Sequence, residues 1–243
     1  MRYFFAYVVI IGFLLGCTTP PDRLALVPTD KLASSWWKER HEKVLSELQA
    51  DPQLILIGNS ILHALDNQDR EEVRMKYLDR YQAVNMGFSA DRTENVIWRL
   101  QNGELEGINP KVAILLIGTN NTDGNHFMQV THPEELSAAI WKICSIIGTR
   151  LPDTQILLLG ILPYGYTLNY RDHINKATNK IIADFPTRNK NIHYKDIGNI
   201  YLDKDGKVRS DLMPDFLHPN VQGHMLMFEA LDSKIQSLMG KFD

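Results

Sequence analysis

The chain has 243 residues, a formal net charge of −3, and 44% hydrophobic and 23% charged residues. This composition is typical of globular proteins and argues against a disordered chain, a collagen-like chain or a protein with several membrane spans. The net charge gives no general electrostatic signature of nucleic-acid binding, and two cysteines are too few for a disulfide-rich scaffold.

The N-terminus has the pattern of an export signal. A positively charged start precedes an uncharged run over residues 4–15, which is shorter than the roughly 20 residues of a membrane span. The run ends in the sequence LLGC, whose cysteine is Cys17, and resembles a bacterial lipoprotein signal cleaved before the cysteine. An uncleaved N-terminal anchor and a chance cysteine are the alternatives.

We therefore expect residues 1–16 to be a signal peptide, Cys17 to carry lipid and residues 17–28 to be a tether. Acyl chains bury hydrocarbon at about 0.8 kcal/mol per methylene, so such a lipid would hold the protein at a membrane. The expected location is the bacterial cell envelope, facing the periplasm or the cell surface.

Apolar runs alternate with amphipathic stretches from residue 29 onward. The run 54–57 is apolar at every residue, as expected for a strand buried on both faces of a sheet. This alternation predicts an α/β fold of three layers, α/β/α, with a mostly parallel sheet of about five strands. No internal repeat divides residues 29–243, which we predict to be one domain. The predicted strands are 54–57, 83–84, 112–117, 156–159 and 192–194, and the predicted helices are 32–49, 71–77, 93–100, 133–147, 174–185 and 220–238.

Polar clusters follow the predicted strands, at the edge where ligands bind in parallel sheets. Residues 58–60 read Gly-Asn-Ser, residues 87–91 read Gly-Phe-Ser-Ala-Asp, and residues 118–121 read Gly-Thr-Asn-Asn. Residues 215–219, near the end of the chain, read Asp-Phe-Leu-His-Pro. Each cluster alone is a weak signal, but a parallel sheet would bring all of them to one edge.

Ser60 is the candidate nucleophile, because it follows a buried strand and opens a helix. A serine hydroxyl needs a base within hydrogen-bond reach, and His218 is the best candidate since Asp215 lies three residues before it. That carboxylate can fix the tautomer of the ring and stabilise the imidazolium. Without catalysis, Ser60 would be a helix cap and the Asp-x-x-His pair a turn before the last helix.

Candidate donors for an oxyanion hole lie in the same clusters. The side-chain amide of Asn120 could supply one hydrogen bond, and the backbone amides of Ser60 and Ala90 could supply two more. Each such donor lowers the barrier by roughly 3 to 4 kcal/mol. Asparagine at a strand end is also common in turns, so Asn120 alone carries little weight.

Together the clusters resemble the four sequence blocks of the SGNH/GDSL hydrolase superfamily. Within it, residues 91–121 resemble the catalytic α subunits of intracellular platelet-activating-factor acetylhydrolase. The resemblance covers roughly residues 36–238. It is carried by the sequences VIWRL at 96–100, NGELE at 102–106, PKV at 110–112, GTNN at 118–121, LGILP at 159–163 and DFLH at 215–218.

The resemblance implies a flavodoxin-like SGNH hydrolase fold with Ser60 as nucleophile, His218 as base and Asp215 as its partner. It also implies an oxyanion hole formed by Ser60, Ala90 and Asn120. Two residues depart from the family pattern. Asn59 stands where the family has aspartate, and Ala90 stands where it has glycine. An alanine amide can serve as a donor only if its backbone angles suit a residue with a Cβ.

The leading hypothesis is a serine esterase that hydrolyses short acyl esters, with acetyl as the expected acyl group. In the resembling acetylhydrolases, bulky apolar side chains at the positions of Ile61 and Leu217 line a pocket for a short acyl chain, and Thr119 flanks it. The alcohol half stays open: the substrate could be a small-molecule or glycan acyl ester, or a phospholipid-like acetyl ester. No cofactor, metal or nucleic-acid partner is expected, the membrane contact is the N-terminal lipid, and an oligomer is left open.

Two other classes of function compete with the esterase. A lipoprotein that keeps the fold as a ligand-binding module would explain Asn59 and Ala90, but Ser60, Asp215 and His218 argue against it. A metal-dependent hydrolase using Asp215, His218 and His224 is disfavoured by the spacing of the histidines. A nucleotide-binding domain is disfavoured by the lack of a Gly-x-Gly-x-x-Gly sequence.

The other histidines and the tryptophans receive no functional role from the sequence. His41 and His63 are expected at the surface, Trp36 and Trp37 in the core or an interface, and Trp98 in the core.

Overall fold

The computed structural model describes residues 23–127, 129–167 and 169–240. The expected signal peptide, Cys17 and the first part of the expected tether lie outside these residues. Within the described ranges, no helix is long and apolar enough to cross a membrane.

The described residues contain one parallel sheet of five strands, which confirms the predicted fold class. The strand order is β2-β1-β3-β4-β5, so β1 lies between β2 and β3. Gly58 pairs with Gly87 of β2 and with Leu116 of β3, and this register brings the ends of the three strands level. The strands are β1 Leu54–Gly58, β2 Val84–Gly87, β3 Val112–Leu116, β4 Gln155–Leu159 and β5 Ile192–Lys195.

Helices cover both faces of the sheet. Alternate residues of β1 point into two separate cores, Ile55 and Ile57 into one and Leu54 and Leu56 into the other. Both faces are therefore buried, which explains why the strand is apolar at every residue. The helices are α1 Ser35–Leu48, α2 Ser60–His63, α3 Glu71–Tyr77, α4 Thr93–Gln101, α5 Pro133–Arg150, α6 Tyr170–Ile182, α7 Phe185–Arg188 and α8 Val221–Met239.

The two cores divide the helices between them. Side chains of α1, α4 and α5 pack in the core that contains Ile55, and side chains of α2, α3 and α8 pack in the core that contains Leu54. The predicted helix 174–185 is displaced: α6 begins at Tyr170, because Asn169 caps it by accepting from the amides of Arg171 and Asp172.

The segment before α1 is packed against the domain. Residues 24–26 form a short 3-10 helix, and Ala25 is fully buried. The amide of Ala25 donates to Glu135 Oε1 at 3.1 Å, and Thr93 Oγ1 donates to the Ala25 carbonyl at 2.9 Å. The sequence assigned these residues to the tether, but the buried contacts make them part of the folded domain.

Candidate active site

Ser60, His218 and Asp215 form a hydrogen-bonded chain at the carboxyl edge of the sheet. Ser60 is the first residue of α2, just after β1, and its Oγ lies 2.8 Å from His218 Nε2. His218 Nδ1 lies 2.6 Å from Asp215 Oδ2. A neutral ring that donates from Nδ1 to the carboxylate keeps Nε2 free to accept from the hydroxyl. The three predicted residues are thus brought together in the order that proton transfer from serine requires.

Asp215 is fixed by its own loop. Its Oδ1 accepts from the amides of Leu217 at 3.0 Å and His218 at 2.7 Å. Burial raises the pKa of Asp215, but hydrogen bonds from the His218 amide, the His218 ring and the Leu217 amide outweigh it and leave the pKa below its usual value. The side chains of His218 and Asp215 are 38% and 55% exposed, so this part of the site is open to solvent.

Asn59 caps the helix that carries Ser60. Its Oδ1 accepts from the Ile61 amide at 3.0 Å, and its backbone is extended, as an N-cap requires. Asparagine and aspartate cap helices about equally well. The departure from the family pattern at this position therefore leaves the helix start intact.

His224 supports α2 from the side of α8. Its ring is fully buried, and Nε2 donates to the Ile61 carbonyl at 2.8 Å. Arg70 Nε approaches Nδ1 at 3.4 Å, so both ring nitrogens have partners. Burial lowers the pKa of His224 to about 4, and the ring is neutral at neutral pH. His224 is thus a support of the serine helix, and it is not free to share a metal with Asp215 and His218.

Ala90 adopts the left-handed conformation that the family's glycine would adopt freely. Its φ is +62°, and its carbonyl accepts from Lys31 Nζ at 2.7 Å. The amide of Phe88 donates to the Gly58 carbonyl at 3.1 Å, which extends the strand pairing into this loop. The left-handed backbone costs a residue with a Cβ about 1–2 kcal/mol, so the loop holds Ala90 under strain.

Asn120 joins the third cluster to the loop of Ala90. Its Nδ2 donates to the Asp91 carbonyl at 2.9 Å, and its own carbonyl accepts from the Arg92 guanidinium at 3.3 Å. The side chain is buried, which fixes the amide in one orientation. The structure therefore links Asn120 to the loop of Ala90 through one hydrogen bond.

A buried ion network under this loop escaped the sequence analysis. The side chains of Asp91, Arg99 and Glu104 are fully buried, and Arg99 binds both carboxylates. Asp91 also accepts from Trp37 Nε1 at 2.9 Å, and Glu104 bonds His41 Nδ1 at 2.9 Å. His41 is itself only 6% exposed, so the prediction that it lies at the surface is wrong.

One signal in the sequence indicates that Arg99 has a buried partner. Arg99 lies between Val96 and Leu100 on the helix face that packs into the core. A charged residue on the apolar face of an amphipathic helix needs a buried partner. The signal predicts that a partner exists without identifying it.

The residues predicted to line the acyl pocket differ in exposure. Ile61 and Thr119 are only 1% and 2% exposed, and Leu217 is partly exposed. Ile61 packs in the core beneath α8, and the Thr119 carbonyl accepts from Arg171 at 3.1 Å. Ile61 and Thr119 are therefore held rigidly, whereas Leu217 lies in the surface loop beside His218.

Comparison with known proteins identifies the family of the chain and agrees with its fold. Residues 56–226 match the model of the GDSL-like Lipase/Acylhydrolase family. The chain is 29% identical over 204 residues to platelet-activating factor acetylhydrolase IB subunit alpha2 of Rattus norvegicus, and the alignment covers 84% of this chain and 85% of that protein. These matches identify the chain as an ester hydrolase. It belongs to the GDSL-like lipase/acylhydrolase family, as the resemblance to SGNH hydrolases predicted.

Solved structures share the fold at low sequence identity. A GDSL-like lipase from Bacteroides thetaiotaomicron superimposes with a TM-score of 0.61 at 16% identity, covering 84% of this chain and 98% of that chain. An acetyl xylan esterase superimposes with a TM-score of 0.62 at 19% identity, covering 75% and 98%.

Proposed function

We propose that the protein is a serine esterase that hydrolyses short-chain acyl esters, with acetyl as the preferred acyl group. The observation that carries the proposal is the hydrogen-bonded chain from Ser60 through His218 to Asp215 at the end of β1. This geometry matches the one in which serine hydrolases activate their nucleophile.

The reaction would proceed through an acyl-enzyme. Ser60 Oγ attacks the ester carbonyl carbon while its proton moves to His218 Nε2, and Asp215 stabilises the imidazolium. The amides of Ser60 and Ala90 and the second Nδ2 hydrogen of Asn120 bind the oxyanion. Collapse breaks the bond to the alcohol, which leaves with the proton from His218. Water then attacks the acyl-enzyme by the same path and releases the acid.

The acetyl preference is supported by the rigidity of the predicted pocket. Ile61 is β-branched and packed in the core, so its side chain cannot swing aside for a longer acyl chain. Packed interiors accept additional methylenes at a cost of roughly 1 to 3 kcal/mol. The names of the rat acetylhydrolase subunit and of the acetyl xylan esterase agree with a small acyl group.

The nucleophile is tested with Ser60→Ala on p-nitrophenyl acetate. The substitution should lower kcat by several orders of magnitude with the circular dichroism spectrum unchanged. A fluorophosphonate probe should label the wild type at Ser60 and fail to label the variant. Ser145→Ala, which removes an exposed serine of α5, is the control and should keep full activity and labelling. Activity of Ser60→Ala within tenfold of wild type would overturn the assignment.

We also propose that lipid on Cys17 anchors the protein in the cell envelope, with residues 1–16 as the cleaved signal. The proposal rests on the sequence of this segment. In a bacterial host, the wild type should incorporate labelled fatty acid and sediment with membranes, and Cys17→Ser should do neither. An unlabelled wild type would refute it.

A further inference from the structure

We infer that Trp36, His63 and Ser89 form a subsite that binds the alcohol half of the ester, and that this alcohol is a sugar ring. The inference rests on the proposed esterase function, because it assumes that Ser60 takes up the acyl group. It names the substrate class that the fold and the catalytic residues leave open.

His63 and Ser89 lie on the β2 side of Ser60, and Trp36 contacts His63. Gly58 and Gly87 are paired across β1 and β2, so the residues that follow them leave the sheet side by side. Neighbouring strands are about 4.8 Å apart, which places the loop of Ser89 directly beside the start of α2. Ser89 also precedes Ala90, whose amide is a proposed oxyanion donor.

The order of the strands separates the two halves of an ester. β1, which presents Ser60, lies between β2 and β3. Thr119, a residue of the proposed acyl pocket, follows β3, whereas Ser89 follows β2. An ester bound at Ser60 with its acyl group toward Thr119 would direct its alcohol group toward Ser89.

Ser89 and His63 form a neutral pair that can hold a hydroxyl group. The Ser89 Oγ and His63 Nδ1 are 2.8 Å apart. Burial, followed by the charge of Arg40, lowers the pKa of His63 to about 4, so the ring is neutral; in the tautomer that carries its hydrogen on Nε2, Nδ1 accepts from the serine hydroxyl. Its Nε2 then carries a hydrogen, and among the described residues this nitrogen has no hydrogen-bond partner.

Trp36 supplies an exposed aromatic surface at this position. It is 42% exposed, whereas tryptophan side chains are highly buried on average. Its ring lies 5.5 Å from His63 at an angle of 54° and 6.5 Å from Phe88 at 75°. Both contacts are tilted or edge-on, so neither ring stacks flat against the indole.

This combination suits a sugar better than a cationic headgroup. The apolar C–H face of a pyranose can stack on an indole while its hydroxyls bond to neutral donors and acceptors. A quaternary ammonium would also bind over an indole, but it prefers a negative surrounding potential. Here Arg40 acts on the His63 ring more strongly than Asp66, its salt-bridge partner at 2.7 Å, so the charges beside His63 do not favour a second cation.

The test compares two acetyl esters that differ in the alcohol. The first is methyl 2-O-acetyl-β-xylopyranoside, and the second is ethyl acetate, whose alcohol has no ring that could stack on Trp36. The measured quantity is the ratio of kcat/KM for the sugar ester to kcat/KM for ethyl acetate. Trp36→Ala should lower this ratio at least tenfold, and Trp36→Phe, which keeps a flat ring, should lower it less. Leu32→Ala removes a similarly exposed apolar side chain four residues earlier in the chain and should leave the ratio unchanged.

Each outcome gives a decision. An unchanged ratio in Trp36→Ala, with a melting temperature that shows the variant to be folded, overturns the subsite while Ser60→Ala still tests the esterase. A wild type that prefers 1-O-alkyl-2-acetyl-glycerophosphocholine to the sugar ester overturns the sugar in favour of a phosphocholine alcohol. Failure of the wild type to cleave p-nitrophenyl acetate as well as both esters contradicts the proposed function itself, whereas cleavage of p-nitrophenyl acetate alone overturns only the sugar.

Discussion

Replacing Ala90 by glycine should stabilise the protein without loss of activity. At a φ of +62°, the Cβ of Ala90 costs about 1–2 kcal/mol that glycine would not incur. Glycine also gains freedom in the unfolded chain, which destabilises the fold by about 0.4–1 kcal/mol. The balance is an increase of about 0.5–1 kcal/mol in the free energy of unfolding. Because the backbone already has the conformation that glycine adopts easily, the amide donor should not move.

The measurement is urea unfolding together with kcat/KM on p-nitrophenyl acetate. Gln82→Gly is the matched control, since Gln82 is exposed, has a φ of +49° and lies at the opposite end of β2. Both variants should gain stability, and Ala90→Gly should keep or increase kcat/KM. A loss of stability in Ala90→Gly together with a gain in Gln82→Gly would show that the Ala90 methyl makes favourable contacts. A tenfold loss of kcat/KM would refute the view that only the backbone of Ala90 matters.

Three further predictions concern the residues around the site. Asp91→Asn leaves Arg99 with one buried carboxylate fewer, so the free energy of unfolding should fall by about 3 kcal/mol in urea unfolding. Its kcat should fall more than its KM rises, and an unchanged kcat would mean that the network does not position the oxyanion loop. The folded-state pKa of His224 lies near 4, below the ordinary 6.5, so its contribution to stability is complete above pH 6.5 and is lost as the pH falls toward 4. His224→Gln, which cannot titrate, should lose up to about 3 kcal/mol less stability than the wild type between pH 7 and pH 4.5, measured by urea unfolding. An equal loss in both proteins would contradict the assignment. The wild type should prefer acetyl over hexanoyl p-nitrophenyl esters by about ten- to a hundredfold in kcat/KM, and Leu217→Ala should reduce this preference. Equal wild-type kcat/KM on both esters would show an open pocket.

The sheet was predictable because burial on both faces leaves a simple pattern. β1 and β3 are apolar at nearly every residue and fully buried, so a short run of hydrophobic residues was enough to locate them. The polar clusters at their ends then follow from strand direction alone. The start of a helix at Ser60 was expected, but the extent of α2 was not, because four residues are too few to show a helical period.

The ion network could not be predicted because its partners are distant in the sequence. His41 and Glu104 are 63 residues apart, and Trp37 and Asp91 are 54 residues apart. Helical periodicity describes one element at a time and does not pair a side chain of α1 with a loop after α4. Such pairs become visible only once the fold has placed the elements side by side.

The two departures from the family pattern have different physical consequences. Asn59 acts through its side-chain oxygen, which accepts from the Ile61 amide, and an aspartate oxygen would do the same. Ala90 acts through its backbone, whose left-handed conformation disfavours any Cβ. Asparagine in place of aspartate at residue 59 therefore preserves the hydrogen bond to the Ile61 amide. Alanine in place of glycine at residue 90 adds strain to the backbone of the loop. A substitution in a sequence motif can be judged only when it is known whether the side chain or the backbone makes the contact.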